Sequence, residues 1–270
     1  MGKPTVSVII PTYNRCSLVT KAITSVLNQT YQDFEIIVVD DCSTDNTKEV
    51  VMAVKDPRLL YIELGSNSGG SYAPRTKALN VSVGKYIAVL DDDSCWLTSS
   101  KLELQVNFLE TNREYNLVGT NAVSIDADGN ILSYMSFPSG DELIRKKNLT
   151  KSCFLHSSLL YRRSVAVESG GYQKLSLNSY GNYTNDYELW LRLGTIGKVE
   201  NLPIMATGIV LAQKNFNLRL RFELVSSLLG TIKRYRRHYP NYYKSILHWS
   251  LVLLDTKCLR CLKSIVKTSR

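Results

Sequence analysis

GKYIAVLDDDSCW, residues 84–96, is the stretch that decides how this chain is read. Lys85–Leu90 is short and mostly apolar, with β-branched and aromatic members, which is the composition of a buried strand. It runs directly into Asp91, Asp92 and Asp93. Three carboxylates therefore stand where a strand ends. Alternation along an extended chain predicts that Asp91 and Asp93 leave one face together while Asp92 points to the other. Adjacent anions repel, and a cation carrying phosphates relieves them. Mg²⁺ or Mn²⁺, held at about 2.0–2.2 Å by one or two carboxylates, suits such hard oxygen ligands best. A solvated acidic turn is the other reading of these residues taken alone.

Upstream, Val6–Ile10 is an apolar, β-branched run followed by Pro11, which predicts a buried first strand that stops at the proline. Ser17 is placed to cap a helix whose apolar positions Val19, Ala22, Ile23, Val26 and Leu27 fall at helical spacing. Phe34–Val39 reads as a second buried strand ending in acid at Asp40 and Asp41, and Ser43 with Asp45 marks the start of another helix. A strand over Leu59–Leu64, a helix over Ala73–Val83 and the strand over Lys85–Leu90 complete the series. This alternation predicts an α/β fold with a mainly parallel sheet covered by helices on both faces. Ligands of such sheets gather at the carboxyl ends of strands, so both acid clusters and the Pro11–Asn14 loop are expected on one rim.

Downstream the pattern changes. Leu102–Glu110 reads as a helix, and Asn116–Ile125 and Ile131–Phe137 flank Asp128-Gly129-Asn130, a hairpin signal that brings in antiparallel pairing. Phe154–Tyr161 reads as a strand. Tyr187, Trp190, Leu191 and Leu193 give one apolar face to a helix opening near Thr184, and from Phe216 the chain reads as helices broken near Pro240. There is no internal repeat or low-complexity linker.

With 44% hydrophobic and 21% charged residues, the 270-residue chain is an ordinary globular protein long enough to bury a sizeable core. No stretch approaches the roughly 20 apolar residues of a spanning helix, and the start lacks the plan of a signal peptide, so a cytoplasmic location is expected. Cys16, Cys42, Cys95, Cys153, Cys258 and Cys261 are scattered, as suits reduced thiols; Cys258 and Cys261 form a lone CxxC, better read as two helix-face cysteines than as a zinc site. The net charge of +9 is concentrated at the C-terminus, where from Lys214 onward a run of Lys and Arg faces only Glu223 and Asp255. The first 213 residues are slightly acidic. Apolar residues from Phe216 to Ile232, interleaved with Arg219, Arg221, Lys233, Arg234, Arg236 and Arg237, have the make-up of an interfacial helix on an anionic leaflet. A helix pair packed on the rest of the chain with a solvated basic face is the alternative. A third reading is nucleic-acid binding through this segment, with salt-sensitive affinity as its signature.

VSVIIPTYNR, FEIIVVDDCSTDNT, a Gly-containing loop with Arg75, GKYIAVLDDDSCWL, HSSLLYRRS, GGY and NDYELWLRLG resemble, in order and spacing, the family 2 inverting glycosyltransferases of GT-A fold, of the bacterial polysaccharide and O-antigen type. The resemblance covers roughly Thr5–Val210. It implies a nucleotide-binding sheet continued by a mixed acceptor-binding half, and transfer of a sugar from a nucleotide donor, with a UDP-sugar expected, to a hydroxyl with inversion. Under it, Pro11, Thr12 and Tyr13 flank the nucleotide, Asp41 accepts a hydrogen bond from an imide N–H, and Arg75, Asp91 and Asp92 attend the donor's ribose and phosphates. Asp93, with Asp91, is the implied holder of Mn²⁺ or Mg²⁺. Asp186 matches the catalytic base that deprotonates the acceptor hydroxyl. Capping of a following helix is the competing role for both Asp41 and Asp186, and a solvated surface position is the competing role for Arg75.

Two positions depart from the family pattern: Ser94 stands where a further acid is common and Asn185 where a Glu often precedes the base. No Gln-x-x-Arg-Trp signature of polymer-making members is present, so a single addition per encounter is expected. A sugar-nucleotide nucleotidyltransferase is the rival enzyme reading, but PTYNRCS is not the Gly-rich basic loop such enzymes carry. The resulting division is a catalytic domain over residues 1–213, with a donor-binding part of about 1–115 and an acceptor part of about 116–213, followed by a basic helical segment over 214–270. Because many single-addition members extend lipid-diphosphate glycans, the expected partners are a nucleotide sugar, a polyprenyl-diphosphate-linked glycan and the anionic inner face of the cell membrane, with no nucleic acid.

Overall fold

The computed structural model describes residues 2–126, 128–174, 185–210 and 218–254. β1 (Val6–Thr12), β2 (Phe34–Asp40), β3 (Leu59–Glu63) and β4 (Tyr86–Val89) form a parallel sheet in the order β3-β2-β1-β4. α1 (Cys16–Leu27), α2 (Thr47–Met52) and α3 (Tyr72–Val81) make the crossovers. Side-chain alternation divides the apolar strand residues between two cores. Val8, Ile10, Ile36, Val38 and Ala88 meet α1 and α4 (Lys101–Thr111) on one face. Ile9, Ile37, Val39, Ile87 and Val89 meet α3 and α7 (Asn185–Ile196) on the other. Each Val or Ile among them, removed from water, contributes about 1.5–3 kcal/mol, which is why these strands read as unbroken apolar runs. The α/β expectation holds.

The sheet continues with antiparallel pairings, β4 to β8 (Leu160–Arg162) and β8 to β6 (Tyr115–Ile125). β6 then pairs parallel with β9 (Lys198–Val210), whose far edge carries the three-residue β5 (Ser94–Trp96) antiparallel. β7 (Ile131–Met135) completes the expected hairpin on β6. Two short helices, α5 (Asp141–Asn148) and α6 (Arg163–Glu168), fill the connections.

Three local expectations are corrected. β1 does not stop at Pro11 but pairs with β2 as far as Thr12↔Asp40. The Thr12 carbonyl accepts the Asp41 N–H on the β2 side, so by alternation Pro11 faces β4, whose pairing has already ended at Ile9↔Val89. The missing N–H has no partner to lose. Ser17 does not cap α1, which begins at Cys16; Asp45 accepts the Cys16 N–H at 3.2 Å instead. Phe154–Tyr161 is not one strand: a 3₁₀ turn at His156–Ser158 interrupts it, and only its end joins β8.

After β9, α8 (Leu218–Arg234) and α9 (242–254) flank the turn that contains Pro240. Ile232, Tyr235 and Tyr239 enter the core on the α7 side, with Ile246 and Trp249 packed against it. Tyr235 donates to Glu188, Tyr239 to the Leu191 carbonyl and Trp249 to the Leu149 carbonyl. Among the described residues no helix is long and apolar enough to cross a membrane. Leu175–Tyr183, Thr184, Phe216 and the Cys258/Cys261 pair lie outside the described residues.

Candidate active site

Because β4 stops pairing with β1 after Val89 while β1 runs on beside β2, the sheet forks at its carboxyl rim. A cleft of about 720 Å³ occupies the fork. Pro11, Thr12, Tyr13, Asp41, Arg75, Asp91, Asp92, Asp93 and Asp186 all line it, so the structure brings together every candidate site residue named from the sequence. Arg15, Asn67, Gly69–Ser71, Pro74, Ser94, Leu155, Ser157, Ile209 and Val210 complete the walls.

The three aspartates do not alternate as an extended strand would place them. Ser94 donates its N–H to the Asp91 carbonyl, closing a turn, and the carboxylates part differently. Arg15 Nη1 bridges Asp92 Oδ1 at 3.2 Å and Asp93 Oδ2 at 2.7 Å. Asp91 goes the other way, accepting from Arg75 Nη2 at 2.6 Å and from Ser157 Oγ at 3.3 Å. The expected pairing of Asp91 with Asp93 is thus replaced by Asp92 with Asp93. Burial would raise the Asp91 carboxyl, but the Arg75 charge, backed by hydrogen bonds, outweighs it and holds it down at about 2. Asp92 is pushed up to about 6 by burial, opposed by Arg15 and reinforced by the charges of Asp93 and Asp91.

The acids after β2 divide their work. Asp40 is consumed internally, accepting from Tyr61, from the Ser43 N–H and from the Ser43 hydroxyl. Asp41 does not cap α2; Asp45 does that, through the Thr47 N–H and hydroxyl. The Asp41 carboxylate is buried at the cleft wall and fixed from the opposite loop by the Ser68 N–H and hydroxyl, both at 2.9 Å.

Asp186 lies in the first turn of α7 with 18% of its side chain exposed to the cleft. Oδ1 accepts the Tyr187 N–H, while Oδ2 faces Arg75 Nη1 at 3.8 Å and His156 Nδ1 at 3.9 Å. Burial raises its carboxyl above the ordinary range, against the pull of Arg75. Arg75 is buried between Asp91 and Asp186, not solvated at the surface, and so links the acidic turn to the first turn of α7.

Sequence reasoning passed over Arg15, His156, Ser157 and Ser68. Arg15 ends the quoted TYNR and His156 opens HSSLLYRRS, so the segments were visible; the pairing of Arg15 with Asp92 and Asp93, across some seventy-seven positions, was not. Among the described residues no three His, Cys, Asp or Glu side chains converge to hold a metal unaided. The donor set still fits a hard divalent ion that takes its other ligands from phosphates and water. Asp93 lines the cleft, and among the described residues its Oδ1 meets only the Ser94 hydroxyl, at 3.5 Å.

Residues 7–170 match the model of glycosyl transferase family 2. Over 253 residues the chain is 32% identical to an uncharacterized glycosyltransferase of Methanocaldococcus jannaschii, covering 92% of this chain and 81% of that one. Over 203 residues it is also 32% identical to the Escherichia coli UDP-Glc:alpha-D-GlcNAc-diphosphoundecaprenol beta-1,3-glucosyltransferase WfaP, covering 75% of each. Among solved structures, S. aureus TarS 1-349 in complex with UDP-GlcNAc superposes with a TM-score of 0.67 at 19% identity, over 93% of this chain and 71% of that one. The mannosyltransferase PcManGT from Pyrobaculum calidifontis, in complex with GDP-Man and Mn²⁺, gives 0.67 at 18% identity, over 98% and 76%.

Proposed function

The chain belongs to glycosyl transferase family 2, and from that premise we propose that it moves a single sugar from a UDP-sugar to an acceptor hydroxyl with inversion, the acceptor being a glycan on a polyprenyl diphosphate. The observation that carries this reading is the convergence, in one cleft, of a buried carboxylate with a raised pKa at Asp186 and a charge-clamped acidic turn at Asp91–Asp93. The choice of donor and acceptor is supported by WfaP, a relative named for moving glucose from UDP-Glc to a lipid diphosphate sugar.

In this mechanism residues 1–115 hold the donor. Pro11, Thr12 and Tyr13 flank the base, and Asp41, pre-oriented by Ser68, accepts from the uracil imide. Arg75, Asp91 and Asp92 attend the ribose and phosphates. Asp93, with Asp91, would hold Mg²⁺ or Mn²⁺, which supplies positive charge against the departing diphosphate. The acceptor, held by residues 116–213, gives its hydroxyl proton to Asp186 as its oxygen bonds to the anomeric carbon. The bond from that carbon to the diphosphate breaks on the opposite face, and inversion follows. Arg15, beside Asp93, would add a second positive charge near the diphosphate.

Segment 214–270 is proposed to rest on the anionic cytoplasmic leaflet. One face of α9 is used for packing, through Tyr242, Ile246 and Trp249, whereas Tyr243, Leu247, Leu251 and Leu254 form a second, exposed apolar stripe. Lys233, Arg236 and Arg237 are exposed at the end of α8 and in the turn that leads to α9.

Asp186→Asn tests the central claim. It keeps size and hydrogen bonding but removes the base, so transfer should fall by roughly 10²–10⁴ with an unchanged thermal midpoint. Full activity in that variant would sink the proposal. Donor hydrolysis across a panel of nucleotide sugars, with Mn²⁺, Mg²⁺ or EDTA, identifies the donor and tests the metal.

A further inference from the structure

The two oxygens of Asp186 have different surroundings. Oδ1 is occupied by the Tyr187 N–H at 2.8 Å, which leaves Oδ2 as the oxygen to take a proton. His156 Nδ1 faces Oδ2 at 3.9 Å. That nitrogen is buried and has no hydrogen-bond partner among the described residues. Buried polar atoms seldom go unpaired, and this one is roughly 1 Å beyond hydrogen-bond distance of a carboxylate oxygen.

The ring is well held. It stacks on Trp190, with centroids 5.9 Å apart and planes 24° apart, and Tyr172 meets it edge-on at 6.3 Å. Trp190 is one turn along α7 from Asp186, so the helix that carries the carboxylate also seats the imidazole beside it. The charged and titratable groups facing this pair are Arg75 from α3, Asp91 from the turn after β4, and Tyr172 from the loop after α6. Burial first, then the Arg75 charge, push the imidazole down to about 3, so the ring is neutral at working pH. A neutral ring has one proton. On Nδ1 it points at Oδ2; on Nε2 it would leave a lone pair facing an anion.

We propose that His156 is a positioning residue for Asp186, a neutral imidazole whose Nδ1–H donates to Oδ2 and holds that oxygen towards the acceptor hydroxyl. The inference rests on the reading of Asp186 as the base. Its consequence is that His156 supports the ionised carboxylate against the burial that would protonate it.

Two measurements test it. Long-range ¹H–¹⁵N correlation on the wild-type protein should show His156 Nδ1 as the protonated, pyrrole-type nitrogen between pH 6 and 8; a protonated Nε2 overturns the proposal without any variant. His156→Phe keeps a stacking ring but loses the donor, and should lower kcat on the order of 10–100-fold. Donor KM should stay within about twofold, and the acid limb of the kcat/KM profile should move up by about one pH unit. His156→Asn, whose amide nitrogen reaches the place of Nδ1, should restore the limb and most of kcat. A wild-type profile in His156→Phe, or equal losses in the Phe and Asn variants, overturns it. Asp186→Asn assayed alongside separates the two claims: if it is inactive while His156→Phe matches the wild type, the base stands and only this inference falls.

Discussion

Arg15 meets the carboxylates of Asp92 and Asp93 together, one cation against two anions, and Asp92 bears the imbalance. Burial first, against the pull of Arg15 and with the charges of Asp93 and Asp91 added, pushes its carboxyl up to about 6, above the unfolded value near 3.8, so the folded state binds its proton more tightly than the unfolded chain does. The favourable contribution is therefore present below pH 4 and is lost as pH rises through 6. Asp92→Asn should stabilise the protein by about 1–3 kcal/mol at pH 7, with the gain shrinking as pH falls towards 4; urea unfolding at several pH values checks this. Arg75 is the opposite case. Buried between Asp91 and Asp186, it cannot be removed without stranding two carboxylates, and Arg75→Gln should cost about 3–5 kcal/mol in the same measurement. Asp91 and Asp186 were legible as residues because the acidic turn follows an unmistakable strand and NDYELW repeats a family block. Their shared counter-ion was not, since Arg75 reaches both only after the sheet has folded.

Asp45 sets the starts of two helices from one loop position. It accepts the Cys16 N–H at the head of α1 and both donors of Thr47 at the head of α2. Asp45→Ala should cost about 1–2 kcal/mol, and Asp45→Asn should recover most of it, as read from urea midpoints. Gly84 controls the entry to β4 by another means: a Cβ there would lie 2.6 Å from the Ser7 backbone nitrogen. Gly84→Ala should therefore cost about 1–3 kcal/mol, because the crossing strand cannot yield as a flexible side chain would. Legibility at this scale follows burial. β1, β2 and β4 are covered on both faces and read as continuous apolar runs. β9 is the longest strand described, yet it carries Pro203 inside a register shift between Leu202 and Met205, and its mixed exposure gives neither a clean alternation nor an apolar run. The three residues of β5 become a strand only because β9 is there to pair with.

At the scale of the molecule, the basic segment is less separate than its charge suggested. Tyr235 and Tyr239 bond to Glu188 and Leu191 of α7, the helix whose first turn carries Asp186. Tyr235→Phe leaves the buried Glu188 with Arg192 and the longer contact to Arg234, and should lower the thermal midpoint by several degrees. The outer side of α9 is tested by flotation with liposomes. Binding should need anionic lipid, weaken with salt, and fall when Lys233, Arg236 and Arg237 become Gln, each basic residue contributing about 1 kcal/mol; loss on Leu247→Ser with Leu251→Ser would place the apolar stripe in the bilayer interface. The fork past Val89 carries a different lesson, for anyone who wishes to change the donor. The ladder between its two walls ends with the Leu90 N–H on the Ile9 carbonyl, and past that bond what ties them, among the described residues, is one side chain, Arg15, bonded to Asp92 and Asp93. Redesign for a bulkier donor should begin at that single guanidinium and leave the strands alone.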